Sequence, residues 1–438
     1  MASTEKKIQD GIHNESFNDK EDQGLHEVLE IDPALDRRIT SKFDRHVVPW
    51  LFGLWLLAFI DRSNIGNARI DGLATDLKLT NGNKFNVALT VFYVSYVLID
   101  VPSNWILKWI GAGYYLPGLM ISWGIVGTCM GSVKSYGGLI AARCFLGLCE
   151  GGLLGGMVLY LSMFYRRHDL LFRLGLFYCA APLSGAFGGL LATGLAEIRF
   201  HGYNRWPWIF FVEGAVTVCF GILTVFFLPH TPKQAKCLTE EERHAAVTRM
   251  KLDAHGASSK SNVEAETFNW RWVRMAVLNW NTLLLSFNFF AIITPIYSFS
   301  LFLPSIILEL GYTSVTAQLF TVPPNIAGFI FVLGGTLLSD RIKARGPIMI
   351  VGCSLAIIGY ILLLVPARPL VHYGGPRYVT GHSINMAFLV LSLILTTTTM
   401  FYAKFENKKR AQGGRDYRLA EGDAGMLGYR HPEFRYTC

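Results

Sequence analysis

The sequence predicts an all-α membrane protein, and three observations carry that prediction: an apolar composition, long apolar runs, and the placement of the basic residues between them. Of 438 residues, 51% are hydrophobic and 16% charged, with a positive mean hydropathy, well to the apolar side of ordinary soluble domains. A membrane-crossing helix needs about 20 mainly apolar residues, and such runs recur along the chain, separated by short polar links. The net charge of +8 could by itself suit nucleic acid. The Lys and Arg residues, however, gather in the links and tails, as the positive-inside rule expects, so nucleic-acid binding is excluded.

In chain order, six spans are expected in a first half: from about Val47 to Asn67, Phe85 to Trp109, Tyr115 to Val133, Gly137 to Phe164, Leu170 to Leu195 and Trp208 to Leu228. The phrase Pro229-His230-Thr231-Pro232 then opens a polar stretch reaching Trp270, which cannot enter a bilayer core. Within it, Thr239 followed by Glu240, Glu241 and Glu242 has the form of a capping box and predicts a surface helix to about Leu252. Four more spans follow: Val277 to Leu303, Ala317 to Leu338, Ile348 to Val365 and Met386 to Tyr402.

The domain expectation is therefore a cytosolic tail over 1–45, a six-helix bundle over 46–228, a cytosolic linker over 229–272, an incomplete four-helix bundle over 273–403 and a cytosolic tail over 404–438. Arg166, Arg167 and Arg173, then Arg341, Lys343 and Arg345, and finally Lys404, Lys408, Lys409 and Arg410 all fall on one side if the amino terminus is cytosolic. Arg199, Arg205, Arg368 and Arg377 fall on the other, so the rule acts as a bias. The first 45 residues lack the apolar segment of a secretory signal, so the first span is expected to direct insertion. The tail from Ala411 is expected to be disordered.

The eight cysteines show no metal-ligand spacing, and no metal or other cofactor is expected. Charges inside apolar helices are costly and generally face a cavity or one another. Asp61 and Arg62 lie in the first span, and Arg143 and Glu150 in the fourth. Seven residues apart, Arg143 and Glu150 share a helix face about 10 Å apart. A guanidinium stays charged and holds a carboxylate by paired hydrogen bonds. A carboxylate in a dry cavity can load and release a proton. Together they supply what a carrier of an organic anion with H⁺ requires. The competing reading is that the four residues form ion pairs that only lock helices together. Asn64 and Tyr297, the latter after the helix breaker Pro295, are candidate substrate contacts. Asp340 and Arg341, at the cytosolic end of the eighth span, are candidate gating residues. For Asp100 and Glu213, near helix ends, a packing or capping role weighs at least as much as a functional one, and the run Ala181 to Gly189 is read as a close-packing surface.

These residues give the chain its likeness to a known family. Asp61-Arg62-Ser63-Asn64-Ile65-Gly66-Asn67-Ala68, Arg143 to Glu150 with Gly147, Trp208-Ile209-Phe210-Phe211-Val212-Glu213-Gly214 and Ser339-Asp340-Arg341 together resemble the major facilitator superfamily, and within it the fungal allantoate permease branch of the anion:cation symporters. Tyr165-Arg166-Arg167-His168 with Ser184 to Leu191 looks most like nicotinic acid transporters. The resemblance implies a proton-coupled symporter of a small carboxylate in the plasma membrane, a monomer in the lipid bilayer. It implies Asp61 and Glu150 as proton sites and Arg62 and Arg143 as anion-facing cations. Two departures stand out. The loop Pro102 to Gly111 lacks the family's Asp-Arg, and Val371-His372-Tyr373-Gly374-Gly375 runs directly into Pro376-Arg377-Tyr378, which implies that helices 10 and 11 of a twelve-helix family are missing. The alternative is a non-transporting membrane protein, sensor-like or a defective truncated form. No nucleophile–base pair points to an enzyme.

Overall fold

A computed structural model describes residues 32–79, 83–195, 205–256, 274, 277–342, 345–364 and 379–417, and these are overwhelmingly helical. The chain begins with α1 (Pro33–His46), where the Asp32 side chain accepts from Ala34 N–H and Pro33 fills the first turn. The first apolar run becomes α2 (Val48–Ala68), which continues through a π turn at Arg69–Leu73 to Asp76. Next come α3 (Lys84–Ile110) and α4 (Ala112–Met130).

The expected fourth span is two helices, α5 (Tyr136–Glu150) and α6 (Leu153–Phe164), broken at Gly151–Gly152. Gly152 has φ of +86°, and a Cβ there would strike Ser103 Oγ, so sterics on both counts require glycine. The break falls immediately after Glu150. The fifth span also divides, into α7 (Arg167–Tyr178) and α8 (Ala180–Leu195), and α9 (Arg205–Phe227) completes the first half.

After the linker come α11 (Trp280–Glu309), the shorter α12 (Ser314–Phe320), α13 (Val322–Ile342), α14 (Gly346–Leu364) and α15 (Val379–Ala411). Among the described residues nine helical segments are long and apolar enough to cross a membrane, where ten spans were expected. The difference is α4, whose glycines, tyrosines and Pro117 dilute its apolar content over 19 residues. At about 1.5 Å per residue it still matches a hydrocarbon core of about 30 Å. It packs tightly on α9: Cβ atoms at Gly124 and Gly221 would come within 2.9 Å of Val218 and Ile121.

The linker helix α10 (Glu240–Gly256) carries the expected capping box: Thr239 N–H donates to Glu242 Oε2 at 2.9 Å, and Glu242 N–H to Thr239 Oγ1 at 3.4 Å. The expected tail over 1–45 includes most of α1, and α10 is clamped to it. The buried Arg249 donates to Asp36 at 3.0 Å, to Thr40 at 2.9 Å and to the Phe164 carbonyl at 2.6 Å. Lys42 Nζ bonds both oxygens of Glu242, and Arg173 holds Asp44 at 2.6 Å. The Lys42 hydrogen bond, with help from Thr239 N–H, lowers the Glu242 carboxyl below its ordinary value. A depressed folded-state value adds stability that is present above the ordinary carboxylate range and disappears as pH falls through the lowered value. Amide exchange of α1 and α10 is therefore expected to quicken together on acidification, with the transition moved to higher pH by Lys42→Ala. Exchange that ignores both pH and Lys42 would count against this clamp.

The two halves differ in how they use glycine. In the first half, most helix glycines lie against neighbours, as Gly147 does against Ser95 and Phe92, Gly156 against Leu116 and Gly214 against Thr128, while Gly118, Gly137 and Gly194 are open. In the second half, Gly334, Gly352, Gly359 and Gly381 have open space around them among the described residues. Glycine faces in membrane helices ordinarily admit a second backbone. The tail expected to be disordered is described only to residue 417, where Arg415 turns back to bond Glu406 at 2.9 Å.

Candidate functional site

Mid-membrane charge in this chain converges on α2. The run from Ile60 to Ala68 is buried at every position, because α2 is enclosed by α8, α9 and, from the second half, α11. Room for its polar side chains comes from facing glycines. A Cβ at Gly188 of α8 would lie 3.0 Å from Asn64 Oδ1. The close-packing surface expected from Ala181 to Gly189 thus also meets polar groups, with Gly185 against Asn325 and Gly189 against Thr321.

Arg62 and Glu150 form an ion pair, Nε to Oε1 at 2.6 Å, with side chains 8% and 0% exposed. The pair joins the first and fourth spans. Arg62 Nη1 also donates to the Tyr297 hydroxyl at 3.1 Å, bringing the second half to the same guanidinium. Aromatic faces surround it, with Tyr96, Phe59 and Phe92 centroids 4.9, 5.5 and 5.7 Å from Cζ, a geometry that favours a cation. Tyr297 in turn contacts Tyr93 at 5.7 Å and Phe59 at 6.5 Å between centroids.

Arg143 is 1% exposed, and its Nε and Nη2 have no hydrogen-bond partner among the described residues; the same holds for Arg62 Nη2 and Glu150 Oε2. Buried polar groups of this kind cost about 1–3 kcal/mol each when unmet, and more when charged. Arg143 and Glu150 share the helix face expected from their spacing, yet Glu150 bonds Arg62 of another helix.

Asp61 accepts from Trp123 Nε1 at 2.9 Å, and its carboxyl meets that of Glu213. Glu213 also accepts from Asn64 Nδ2, and Asn67 donates to Asn64 at 3.1 Å. Glu213 lies inside α9 and not at its end: it is 2% exposed and in contact with α2. Asp100, by contrast, lies on a surface groove with Tyr96, Asn104 and Ser162. A carboxylate within the apolar phrase Trp208 to Gly214 was the available signal for Glu213. Trp123 carried none. Arg341 is exposed at the end of α13, away from this cluster, and the side chain of Asp340 lies outside the described residues.

The sequence pattern of the Major Facilitator Superfamily matches residues 51–413. The chain belongs to that superfamily. It is accordingly a multi-pass membrane transporter and not an enzyme. The superfamily chain is 32% identical to MFS-type transporter efuF of Hormonema carpetanum, over 94% of this chain and 81% of that protein. It is 37% identical to an uncharacterized transporter, C11D3.18C, of Schizosaccharomyces pombe, over 84% of this chain and 74% of that one. Among solved structures it superposes on a proton:xylose symporter bound to 6-bromo-6-deoxy-D-glucose with a TM-score of 0.60, covering 90% of this chain and 93% of that chain at 12% identity. At that identity the likeness speaks for the fold alone.

Proposed function

We propose that this superfamily member is a secondary active symporter that moves a small organic anion with H⁺, in the manner of nicotinate or allantoate carriers. The observation that carries the reading is the set of unmet guanidinium N–H groups on Arg62 and Arg143, buried beside Glu150. A substrate carboxylate satisfies those donors in bidentate fashion. In doing so it competes with Glu150 for Arg62. The displaced Glu150, now without its cation in a dry site, takes up a proton, so anion and proton enter together. Asn64 and Tyr297 complete the substrate contacts, Asp61 takes part in proton handling, and Asp340 with Arg341 act at the cytosolic gate.

Residues 46–228 and 273–403 form the two transport bundles, with the linker 229–272 and both tails cytosolic, and the protein works as a monomer in the plasma membrane. The second bundle lacks the counterparts of helices 10 and 11. The phrase Val371 to Arg377 lies outside the described residues, so this reading rests on the sequence join and on the open glycines of α13, α14 and α15.

The test is uptake of radiolabelled nicotinate, ureides and simple carboxylates by cells expressing the chain, with and without an imposed pH gradient. Saturable uptake of an anion that rises with external acidity supports the proposal. Substrate-induced stabilisation without uptake under any gradient would favour a sensor-like protein instead.

A further inference from the structure

We propose that Asp61 and Glu213 hold a single proton between them, so that Glu213 is the proton-positioning partner of Asp61 in transport. The proposal rests on the proton-coupled reading above, but it concerns a carboxyl that reading leaves idle. Asp61 sits on α2 and Glu213 on α9, and their carboxyl groups meet in the interior of the first bundle. The two chains come this close because glycines line the contact. A Cβ at Gly127 of α4 would lie 3.8 Å from Asp61 Oδ1 and 4.0 Å from Gly214 Cα.

Counting donors decides the protonation of this pair. Asp61 Oδ2 is taken by Trp123 Nε1, and Glu213 Oε2 by Asn64 Nδ2. Both donors are neutral. Glu213 Oε1 is buried and has no donor among the described residues. The charged groups facing the pair are Arg143 and Glu150 from α5, within electrostatic reach of Asp61. Glu150 is already committed to Arg62. Arg143 forms no ion pair with either carboxyl among the described residues, and its Nε and Nη2 are unmet. Two buried carboxylates cannot both be ionised in contact without a bonded cation; one proton between them converts repulsion into a hydrogen bond. That proton arrives from and returns to water, and only O–H bonds change. Trp123 and Asn64 fix the outer oxygens and leave the inner pair to share it.

The resting protein therefore carries its proton at Asp61–Glu213, while Glu150 stays ionised against Arg62 until substrate displaces it. Infrared difference spectra of the purified full chain in detergent, taken across a pH titration, read this directly through the carbonyl stretch of a protonated carboxylic acid. Glu213→Gln gives Asp61 an amide donor and Asp61→Asn does the same for Glu213, so each variant alone is expected to abolish the shared band. Glu150→Gln, which removes a charge within reach of Asp61, is expected to keep the band and only to displace its titration along the pH axis. Glu213→Asp, which keeps a carboxyl, should retain a shifted band and serves as the variant least disturbing to folding. The proposal is overturned if Glu213→Gln, eluting as a monodisperse species, keeps the unmodified band, or if Glu150→Gln removes it at every pH of the titration. Because the band is read in the protein at rest, the result stands whether or not uptake proves to be proton-driven.

Discussion

Inserting two membrane spans between Gly374 and Pro376 is expected to raise both uptake and detergent stability above those of the 438-residue chain. The physical reason is the asymmetry between the halves. In the first, most helix glycines receive neighbouring backbones and side chains, as Gly147 receives Ser95 and Gly124 receives Val218. In the second, Gly334, Gly352 and Gly359 meet nothing within reach among the described residues. Association of membrane helices draws on close packing and not on exclusion of water, so an unfilled small-residue face forfeits its contribution. Alternating access also needs two bundles that rock about a shared site, and the four-helix second bundle proposed above would be an incomplete counterpart to six. We expect weak uptake from the unmodified chain and a several-fold gain on restoration, read side by side in liposomes with thermal unfolding in detergent. Robust saturable uptake by the unmodified protein, equal to that of the restored form, would show that those spans are dispensable.

Glu150→Gln is expected to abolish proton-driven accumulation while leaving exchange of labelled for unlabelled substrate partly intact. Glu150 is fully buried and its 2.6 Å bond to Arg62 is its only hydrogen bond among the described residues. Glutamine keeps the shape and an acceptor oxygen but cannot take up a proton, so the cycle loses its coupling step and keeps its binding groups. The more drastic Arg62→Ala removes the cation and strands the Glu150 charge. Breaking one side of a buried pair costs roughly 3–5 kcal/mol, so this variant should also lose much of its thermal stability. Accumulation and exchange are measured in the form with the higher uptake. Normal accumulation by Glu150→Gln under an imposed pH gradient would remove Glu150 from the coupling mechanism.

The charged centre was legible in the sequence because a bilayer makes buried charge expensive wherever it occurs. Asp61, Arg62, Arg143 and Glu150 stand out in apolar runs for that reason alone, and their seven-residue spacing in the fourth span follows from helix periodicity. Their pairing was not legible. Arg143 and Glu150 are neighbours in sequence, yet Glu150 bonds Arg62, 88 residues away. Which cation a carboxylate meets depends on how α2 packs against α5, and no local pattern encodes that.

Glu213 shows the same limit. Its place near the start of an apolar run suggested a helix end, and only the approach of α9 to α2 puts it against Asp61 and Asn64. The break at Gly151–Gly152 was likewise invisible in a continuous apolar stretch, since it comes from the φ of Gly152 and the close approach of Ser103. Away from the charged centre, α1 could have been anticipated from Asp32-Pro33, which together cap and start a helix. Its clamp on α10 could not, because Arg249 reaches Asp36 and Thr40 across more than two hundred residues. By itself the sequence determined the helical, membrane-crossing class and the identity of the costly charges, both of which follow from local apolarity and periodicity. Tertiary structure alone decided which of those charges meet and which donors stay unmet, because such contacts are set by the distance between helices far apart in the chain.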